Sequence, residues 1–398
     1  MSYIELDKKI ENLIKTERKN GTYKRVECCD NSAIRRFSNP HDQPSIIRSN
    51  FIKDVDKILN LPFYNRYGDK TQVFSFYRND DISRRFSHVQ LVSRIARTIG
   101  KALNLNLELI EAISLGHDLG HPPFGHSGEV ILDKLFYSQT KRHFSHAIQS
   151  VRILTDIFPQ NLTLQTLSGI ASHNGEIEQK IYRPKPLESF DQFDKLIEEC
   201  YVNDQTAKKL VPSTLEGCLV KICDIIAYIG KDRQDAQKIN LVAQENFTDQ
   251  IIGLFNAEII NNLMVNLIEN SYGKPYVCLS DEFFTALKSA KEQNYKLIYA
   301  HPQNVEIFNS VVNPMFEMVY FKLLTHLKNK NQSSPIFTHH VNLINNSFYS
   351  RSQPYGEGEP NQIVVDFIAS MTDDYFLDIF HHLFPDSNLK VEFKGYFD

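Results

Sequence analysis

The sequence lacks the cysteine patterns that mark disulfide frameworks and thiolate zinc sites. Its 398 residues contain six cysteines and no CxxC pair. They are Cys28, Cys29, Cys200, Cys218, Cys223 and Cys278. Cysteines spaced in this way along so long a chain do not build a disulfide scaffold. We therefore predict a protein of a reducing compartment, the cytoplasm.

Long apolar runs and an excess of positive charge are also missing. No run approaches the roughly 20 apolar residues that cross a bilayer, and the first thirty residues are charged and polar. The formal net charge is -4, so no overall basic field attracts nucleic acid. We expect a soluble protein that does not contact membranes.

Helical periodicity is what the sequence has in abundance. Apolar residues recur three or four positions apart in most windows, for example from Val89 to Ile99 and from Leu215 to Ile229. Alternating segments are short and lie around residues 72–76, 276–279 and 390–393. The pattern predicts a mainly α protein with small accessory β hairpins. We divide it into an N-terminal helical or irregular segment (1–39), a helical core (40–310) and a C-terminal helical region packed on that core (311–398).

Reactive side chains are densest in residues 116–129, which read GHDLGHPPFGHSGE. Three histidines and two carboxylates in fourteen positions are hard to explain by packing. The apolar stripe from Leu109 to Leu115 places His117 and Asp118 at the C-terminal end of a buried helix, and glycines and prolines then impose an ordered loop. A neighbouring imidazole and carboxylate can bind one divalent metal ion, such as Mn, Fe, Co or Zn.

Two further metal ligands are needed, and His88 and Asp224 are the candidates. His88 opens an amphipathic helix, whereas Asp224 shares a polar stripe at i, i+4 and i+8 with Tyr228 and Asp232. These three side chains can face a common pocket. Taken alone, His88 is better explained as a packed core histidine and Asp224 as a solvated surface acid, but the dense segment at 117–129 favours a role as ligands.

Several segments in order along the chain resemble one known family. They are KTQVF at 70–74, RRFSH at 84–88, HDLGHPPFGHSGE at 117–129, FSHAIQSVRIL at 144–154, CDIIAYIGKD at 223–232 and DFIASMTDDY at 366–375. The H…HD…D pattern is similar to the metal site of the HD superfamily, and the longer motifs resemble the dGTPase-like deoxynucleoside triphosphate triphosphohydrolases. The resemblance implies an HD-domain helical bundle with a C-terminal helical extension.

The resemblance also implies a reaction, the cleavage of a dNTP to the deoxynucleoside and inorganic triphosphate. It assigns His88, His117, Asp118 and Asp224 as ligands of a divalent metal ion, with Mn, Mg, Fe, Co and Zn all open. A metal-polarised water is a strong nucleophile at neutral pH. Control of dNTP pools, or depletion of dNTPs during phage infection, would be the purpose.

The resemblance places His121, Glu129 and His146 beside the triphosphate, where they take part in catalysis, and His126 is a fourth catalytic candidate in the motif. The leaving alkoxide needs a proton, which an imidazole oriented by Glu129 is suited to deliver. We favour His146 or His121 as the donor without separating them. Hydrogen bonds that stabilise the loop are the alternative role of His121 and His126.

Four residues are candidates for substrate binding: Gln72, Arg85, Tyr228 and Asp232. Arg85 is suited to the charge of a triphosphate, although a structural salt bridge is its alternative role. In the family, the residues matching Gln72 and Tyr228 lie near the sugar, where the aromatic ring excludes a 2′-hydroxyl.

The sequence departs from the family where DDIAY is replaced by DIIAY, which removes a second acid next to Asp224. The resemblance further implies a homo-oligomer, a hexamer or tetramer, and an allosteric nucleotide or single-stranded DNA at a separate site. Two other functions stay open: hydrolysis of another phosphoester (a nucleoside monophosphate, a cyclic nucleotide or a nucleic-acid end), and nucleotide sensing without turnover.

Overall fold

The fold is described from a computed structural model, which covers residues 3–22, 27–174, 179–248, 251–349 and 353–397, without the side chains of residues 303 and 304. The first helices are α1 (Lys8–Asn20), α2 (Asn50–Leu59), α3 (Arg85–Leu103), α4 (Leu107–Gly116), α5 (Gly125–Thr140), α6 (His146–Arg152) and α7 (Leu164–Ala171). The middle helices are α8 (Phe190–Val202), α9 (Asp204–Lys209), α10 (Leu215–Lys238), α11 (Asn256–Ser271), α12 (Asp281–Asn294) and α13 (Pro302–Ile307). The last are α14 (Asn313–Lys328), α15 (Asn342–Asn345), α16 (Pro360–Ala369) and α17 (Asp373–Leu383).

Helix α10 lies at the centre of the first helical layer and packs against α3, α4, α7 and α11. The Thr214 side chain caps its first turn by accepting a hydrogen bond from the Gly217 N–H. Apolar residues occupy more than one face of α10, and Leu219, Ile222, Ile226 and Ile229 are almost fully buried. Asp224 lies on this helix, which also carries buried polar side chains such as Lys221 and Asp232.

A second layer of helices consists of α5, α14, α16 and α17. Its aromatic core contains Phe316 and Phe376, whose rings stack at 4.3 Å. Phe124, at the end of the histidine-rich motif, meets Phe376 edge-on at 5.6 Å. The motif loop therefore lies between the two layers, with its apolar end anchored in the second.

The prediction of a mainly α protein is confirmed, and the accessory sheet is small. It consists of β1 (Ile181–Tyr182) and β2 (Val277–Cys278), which pair antiparallel with Ile181 opposite Cys278. The strands come from distant parts of the chain rather than from one hairpin. Of the three predicted extended pieces, only 276–279 contains a strand within the described residues, while Thr71–Arg84 and Tyr77–Lys394 form isolated bridges.

One apolar cluster contains side chains from all three predicted segments, among them Ile14, Ile113 and Phe376. The division at residues 39 and 310 stays a prediction. The charged stretch between positions 177 and 212 contains β1, α8 and α9; its positions 177 and 178 lie outside the described residues. No helix in the described part of the chain is long and apolar enough to span a membrane.

Candidate metal centre and active site

Helix α3 places Arg85 and His88 in its first turn, where both side chains are buried. The Arg85 N–H donates to the Lys70 carbonyl at 3.0 Å, which joins the start of this helix to the segment that contains Gln72. His88 lies three residues after Arg85 and faces α10. The RRFSH segment thus delivers a cation and an imidazole to the same cavity.

Helix α4 ends at Gly116, so His117 is its C-terminal cap, as the apolar stripe predicted. The His117 Nδ1–H donates to the Ser114 carbonyl at 2.7 Å, which leaves Nε2 with a free lone pair. A glycine is required at position 120, because a Cβ there would collide with the backbone of His146 and Ser150. This close approach brings α6 against the motif loop.

His88, His117, Asp118 and Asp224 converge in a group that we call the ligand cluster. His88 Nε2 lies 2.9 Å from Asp224 Oδ1, and His117 Nε2 lies 3.7 Å from the same oxygen. His117 Nε2 is also 3.5 Å from Asp118 Oδ1. The structure therefore brings together all four predicted ligands, which come from α3, the end of α4 and α10.

The ligand cluster fits a divalent cation. His117 Nε2 is buried and has no hydrogen-bond partner among the described residues, although two carboxylates lie within 4 Å of it. Imidazole nitrogens combined with carboxylate oxygens are the mixed donor set of borderline divalent metals. His88, His117 and Asp224 offer ligand atoms close enough together to share one ion.

The charges of the ligand cluster favour a cation as well. Burial disfavours ionisation of Asp118, but His117 and Arg85 outweigh it and hold the pKa of this carboxyl below its usual range. His117 and His88 do the same for the pKa of Asp224. Burial opposes a charge on His117, yet Asp118 and Asp224 raise the pKa of its imidazole to about 9. Positive charge is therefore stabilised at this point of an otherwise closed interior.

Arg85 bridges the ligand cluster and the rest of the cavity. Its Nη1 donates to Asp118 Oδ2 at 2.7 Å, while Nη2 and Nε are buried without hydrogen-bond partners among the described residues. The salt bridge that we considered is present, but it uses only part of the guanidinium group. The unpaired Nη2 lies next to Gly125, whose other neighbour is the Gln72 carbonyl.

His121, His126, Glu129 and His146 form a second group, which we call the histidine row. His146 Nδ1 donates to Glu129 at 2.8 Å, and His126 Nδ1 lies 3.1 Å from the other oxygen of Glu129. The rings of His121 and His146 stack at 3.8 Å. His126 and Glu129 lie on α5, which begins already at Gly125, so part of the predicted loop is helical.

The pKa values of His121 and His126 shift in opposite directions. Burial, together with the charges of Arg85 and His146, lowers the pKa of His121 well below the usual range. Desolvation within the cleft opposes a charge on His126, but the Glu129 carboxylate outweighs it and raises the pKa. The side chain of His126 is 73% exposed, so solvent reaches this imidazole.

Sequence reasoning missed His173. It follows the buried helix α7, its Nδ1–H donates to the Ile170 carbonyl at 2.7 Å, and its Nε2 lies 3.0 Å from His146 Nε2. Burial, with the neighbouring His117 and His146, lowers its pKa to about 3. The signal was available, because SHNG at 172–175 repeats the pattern of a histidine directly after an apolar helix that also identified His117.

Tyr228 and Asp232 lie on α10 one and two turns after Asp224, and Asp232 is almost fully buried. Tyr299, which sequence reasoning also missed, donates a hydrogen bond of 2.6 Å to Asp232 Oδ2. Burial raises the pKa of Asp232 to about 7 and, with the two neighbouring acids, raises that of Tyr228. Tyr299 belongs to a π-helical turn (Tyr295–Tyr299) after α12, and such turns are frequent at functional sites.

The fold and this arrangement define the class of protein, an HD-domain phosphohydrolase. The sequence profile of the HD domain matches residues 85–229, from the start of α3 into α10, and that of the phosphohydrolase-associated domain matches residues 277–382. The chain belongs to the deoxyguanosinetriphosphate triphosphohydrolase-like family of these enzymes.

Relatives that carry the name deoxyguanosinetriphosphate triphosphohydrolase-like protein are similar over most of their length. The one from Caldanaerobacter subterraneus subsp. tengcongensis is 31% identical over 345 residues, which are 85% of this chain and 86% of the relative. Those from Clostridium perfringens strain SM101 and Desulfatibacillum aliphaticivorans are 30% and 29% identical, over 86% of this chain and 89% and 90% of their own.

Proposed function

We propose that this protein hydrolyses deoxynucleoside triphosphates to the deoxynucleoside and inorganic triphosphate in a metal-dependent reaction. The observation that carries the proposal is the placement of Arg85 between the ligand cluster and the histidine row. A triphosphate needs a cation on one side of its α-phosphate and proton donors on the other, and this cavity offers both. The names of the relatives support the same reaction.

The ligand cluster of His88, His117, Asp118 and Asp224 is our proposed metal site. A divalent ion held there would polarise water and neutralise charge on the phosphate. Arg85 keeps the Asp118 carboxylate ionised and oriented through their salt bridge. Its buried and unpaired Nη2 and Nε are suited to the oxygens of the triphosphate, because a bound phosphate would satisfy both N–H groups.

The proton for the leaving 5′ oxygen is proposed to come from His126. From sequence we favoured His146 or His121, but burial and neighbouring cations lower the pKa of His121 and disfavour its protonated form. The Nδ1–H of His146 is held by Glu129 and its Nε2 faces His173 rather than open space. His126 is exposed, and Glu129 stabilises its charged form.

The sugar is proposed to lie over Tyr228, with Asp232 and Tyr299 near its hydroxyl groups and Gln72 on the opposite side. A carboxyl group with a pKa near 7 can donate or accept a hydrogen bond at neutral pH. The second acid that the family has next to Asp224 is replaced by Ile225, which is buried in the apolar core. Nothing polar is left in its place, so Asp224 is the acid that this part of α10 offers to the cavity.

The first experiment supplies each of the four dNTPs and GTP with Mn²⁺, Mg²⁺, Co²⁺ or Zn²⁺ and resolves triphosphate, pyrophosphate and phosphate among the products. Triphosphate release from deoxynucleotides that disappears in Asp118→Ala supports the proposal and gives the base preference. Release of single phosphates would instead support hydrolysis of another phosphoester. Tight nucleotide binding without any metal-dependent product would support a sensor.

The cytoplasmic location, the assembly into a hexamer or tetramer, and a regulatory nucleotide or single-stranded DNA site stay predictions from the sequence and its family resemblance. Light scattering of the purified chain with and without added dNTP tests the assembly. A rate that rises with a second, non-hydrolysed nucleotide would support a regulatory site.

A further inference from the structure

Lys70 is a buried lysine that the proposed reaction leaves without a role. It opens the KTQVF segment, and only 3% of its surface is exposed. Its ammonium group donates hydrogen bonds to the backbone carbonyl of His121 and, at 2.9 Å, to that of Ala369. The first carbonyl belongs to the histidine-rich motif and the second to the end of helix α16. Burying an ammonium group is costly even when carbonyl oxygens accept its hydrogen bonds, so the position of Lys70 points to a role beyond packing.

The imidazole of His121 depends on its own backbone for its position. The buried Nδ1 of this ring has no hydrogen-bond partner among the described residues. Its Nε2 lies 3.5 Å from Asp118 Oδ1, which is beyond the usual length of a hydrogen bond. The ring stacks on His146 at 3.8 Å, and stacked rings tolerate a range of lateral offsets. The main chain of residue 121 must therefore determine where the ring lies.

Side chains from two other parts of the chain hold the backbone on either side of this ring. Ser150 of α6 accepts a hydrogen bond from the Gly120 N–H at 2.9 Å and donates one to the His117 carbonyl at 2.6 Å. Both of these contacts precede His121. The two prolines that follow it have no N–H with which to hold the chain. Lys70 therefore supplies the hydrogen bond that fixes the carbonyl of His121.

The turn between α16 and α17 is the anchor of Lys70. Ala369 is the last residue of α16, so its carbonyl has no acceptor role left within that helix. Lys70 donates to this carbonyl and Arg66 donates to the next one at 2.5 Å, and the negative end of the helix dipole favours both cations. The same turn carries Asp373, which accepts a hydrogen bond from the Phe124 N–H at 2.9 Å. The turn thus holds the motif on both sides of its two prolines.

We propose that Lys70 is a positioning residue, which keeps the His121 imidazole in the histidine row by fixing its carbonyl to the end of α16. The inference rests on the proposed function, in which the histidine row lies beside the triphosphate. A displacement of about 1 Å at a reacting centre can cost roughly 100-fold in rate. The Arg85 N–H is held by the backbone carbonyl of Lys70, so a change of the Lys70 side chain leaves that contact in place. Loss of the ammonium group should therefore affect kcat more than KM.

Lys70→Met tests the proposal in the full-length protein. Methionine retains an unbranched apolar side chain but has no N–H to donate. We expect kcat for triphosphate release to fall about 10- to 100-fold, while KM changes by less than about threefold. Hydrogen exchange measured by mass spectrometry supplies a second readout that needs no turnover. Exchange of the amides of residues 117–121 should be faster than in the wild type.

Arg66→Met is the matched control. Arg66 donates to the end of the same helix, and its guanidinium group lies 4.1 Å from the centre of the Phe63 ring, away from His121. Both variants remove one cation from the end of α16, so both should lower the urea midpoint by similar amounts. Arg66→Met should keep kcat within about twofold of the wild type and leave exchange in residues 117–121 unchanged.

Lys70→Gln and Arg66→Gln repeat the comparison if circular dichroism shows that Lys70→Met does not fold. Glutamine retains two N–H donors on a shorter side chain, which limits the loss of stability. Lys70→Gln should still lower kcat, because its amide cannot reach both carbonyls that Lys70 joins. Arg66→Gln should again leave kcat within about twofold of the wild type.

Equal losses of kcat in the Lys70 and Arg66 variants would overturn the proposal, because Lys70 would then only stabilise the end of α16. A folded Lys70→Met protein with the kcat of the wild type would overturn it as well. If the wild type releases no triphosphate, the proposed function fails and hydrogen exchange alone decides on Lys70. Faster exchange of residues 117–121 in Lys70→Met but not in Arg66→Met would retain its hold on His121, and equal exchange would reject it.

Discussion

The phenol of Tyr299 donates a hydrogen bond of 2.6 Å to Oδ2 of Asp232, on a helix more than sixty positions earlier in the chain. We propose that both residues lie near the hydroxyl groups of the sugar. Burial dominates the environment of Asp232 and raises its pKa from 3.8 to about 7. The hydrogen bond from Tyr299 acts in the opposite direction, because it stabilises the ionised carboxylate.

Asp232→Asn should change how stability depends on pH. The pKa of Asp232 is higher in the folded than in the unfolded state, so its contribution to stability is fully present below about pH 4 and is lost as the pH rises through about 7. Asparagine has no such dependence. The free energy of unfolding of Asp232→Asn, relative to wild type, should therefore increase between pH 4 and pH 8 in urea titrations.

Tyr299→Phe serves as the companion variant. Without the phenol the ionised form of Asp232 loses its donor, so the pKa should rise further and the pH window should move upward. A wild-type to asparagine difference that stays constant with pH would show that Asp232 is already ionised in the folded protein at pH 4.

Arg85→Lys should separate binding from structure. Lysine retains the charge beside Asp118, but it cannot offer the two N–H groups that Arg85 leaves unpaired. We expect KM for the triphosphate substrate to rise about tenfold, which corresponds to about 1.4 kcal/mol, with a smaller change in kcat. Arg84→Lys is the matched control, because the neighbouring arginine caps the same helix. Unchanged KM with a lowered urea midpoint would assign Arg85 to the salt bridge alone.

The distribution of the site residues along the chain explains how much of the site could be predicted from the sequence. His117, Asp118, His121, His126 and Glu129 occupy one short motif, so their meeting required only a helix end and a tight loop. His88 and Asp224 lie on long amphipathic helices whose register fixes the direction of each side chain. Local periodicity predicted the faces of these helices, whereas the family resemblance assigned the two residues as ligands.

Sequence reasoning missed His173 and Tyr299 because each is a single polar residue whose partner is distant in the chain. The partner of His173 is His146 on α6, and it meets that residue only through packing of α7 on α6. Tyr299 depends on a π-helical turn, which departs from the helical period that we used to assign faces. The pairing of β1 with β2 was unpredictable for the same reason, since two residues carry too short a pattern to indicate their partner.

Glu129→Gln should lower the pH at which activity declines on the alkaline side. The Glu129 carboxylate raises the pKa of His126, so its neutral replacement lowers that pKa, and the protonated donor is lost at a lower pH. The substitution also weakens the hydrogen bond that Glu129 accepts from His146. We therefore expect kcat to fall on the order of 100-fold. The pH profile of kcat for triphosphate release measures both changes.

Asp133→Asn is the control for this profile. Asp133 is on the same helix and pairs with His143 outside the cavity, so its replacement should leave the alkaline limb in place. If Glu129→Gln reduced kcat uniformly at all pH values, Glu129 would position substrate or loop rather than set the protonation of His126.

Asp373→Ala should weaken the attachment of the motif loop to the second layer of helices. The buried carboxylate of Asp373 accepts a hydrogen bond from the Phe124 N–H at 2.9 Å and another from the Thr71 hydroxyl. Phe124 has a left-handed backbone (φ 61°), a conformation that costs a non-glycine residue roughly 1–2 kcal/mol and needs such support. A buried donor left without an acceptor costs about 1–3 kcal/mol, so the free energy of unfolding should fall by about 2–4 kcal/mol.

Asp374→Ala is the matched control, because Asp374 occupies the same first turn of α17 but is exposed. Its replacement should change the free energy of unfolding by less than about 1 kcal/mol. Hydrogen exchange should separate the variants further, since only Asp373→Ala removes the acceptor of the Phe124 amide, and exchange in residues 121–128 should then accelerate. Equal protection of this stretch in both variants would mean that Asp373 does not hold the motif loop against the second layer of helices. Aromatic packing of Phe124 against Phe376 would then hold it.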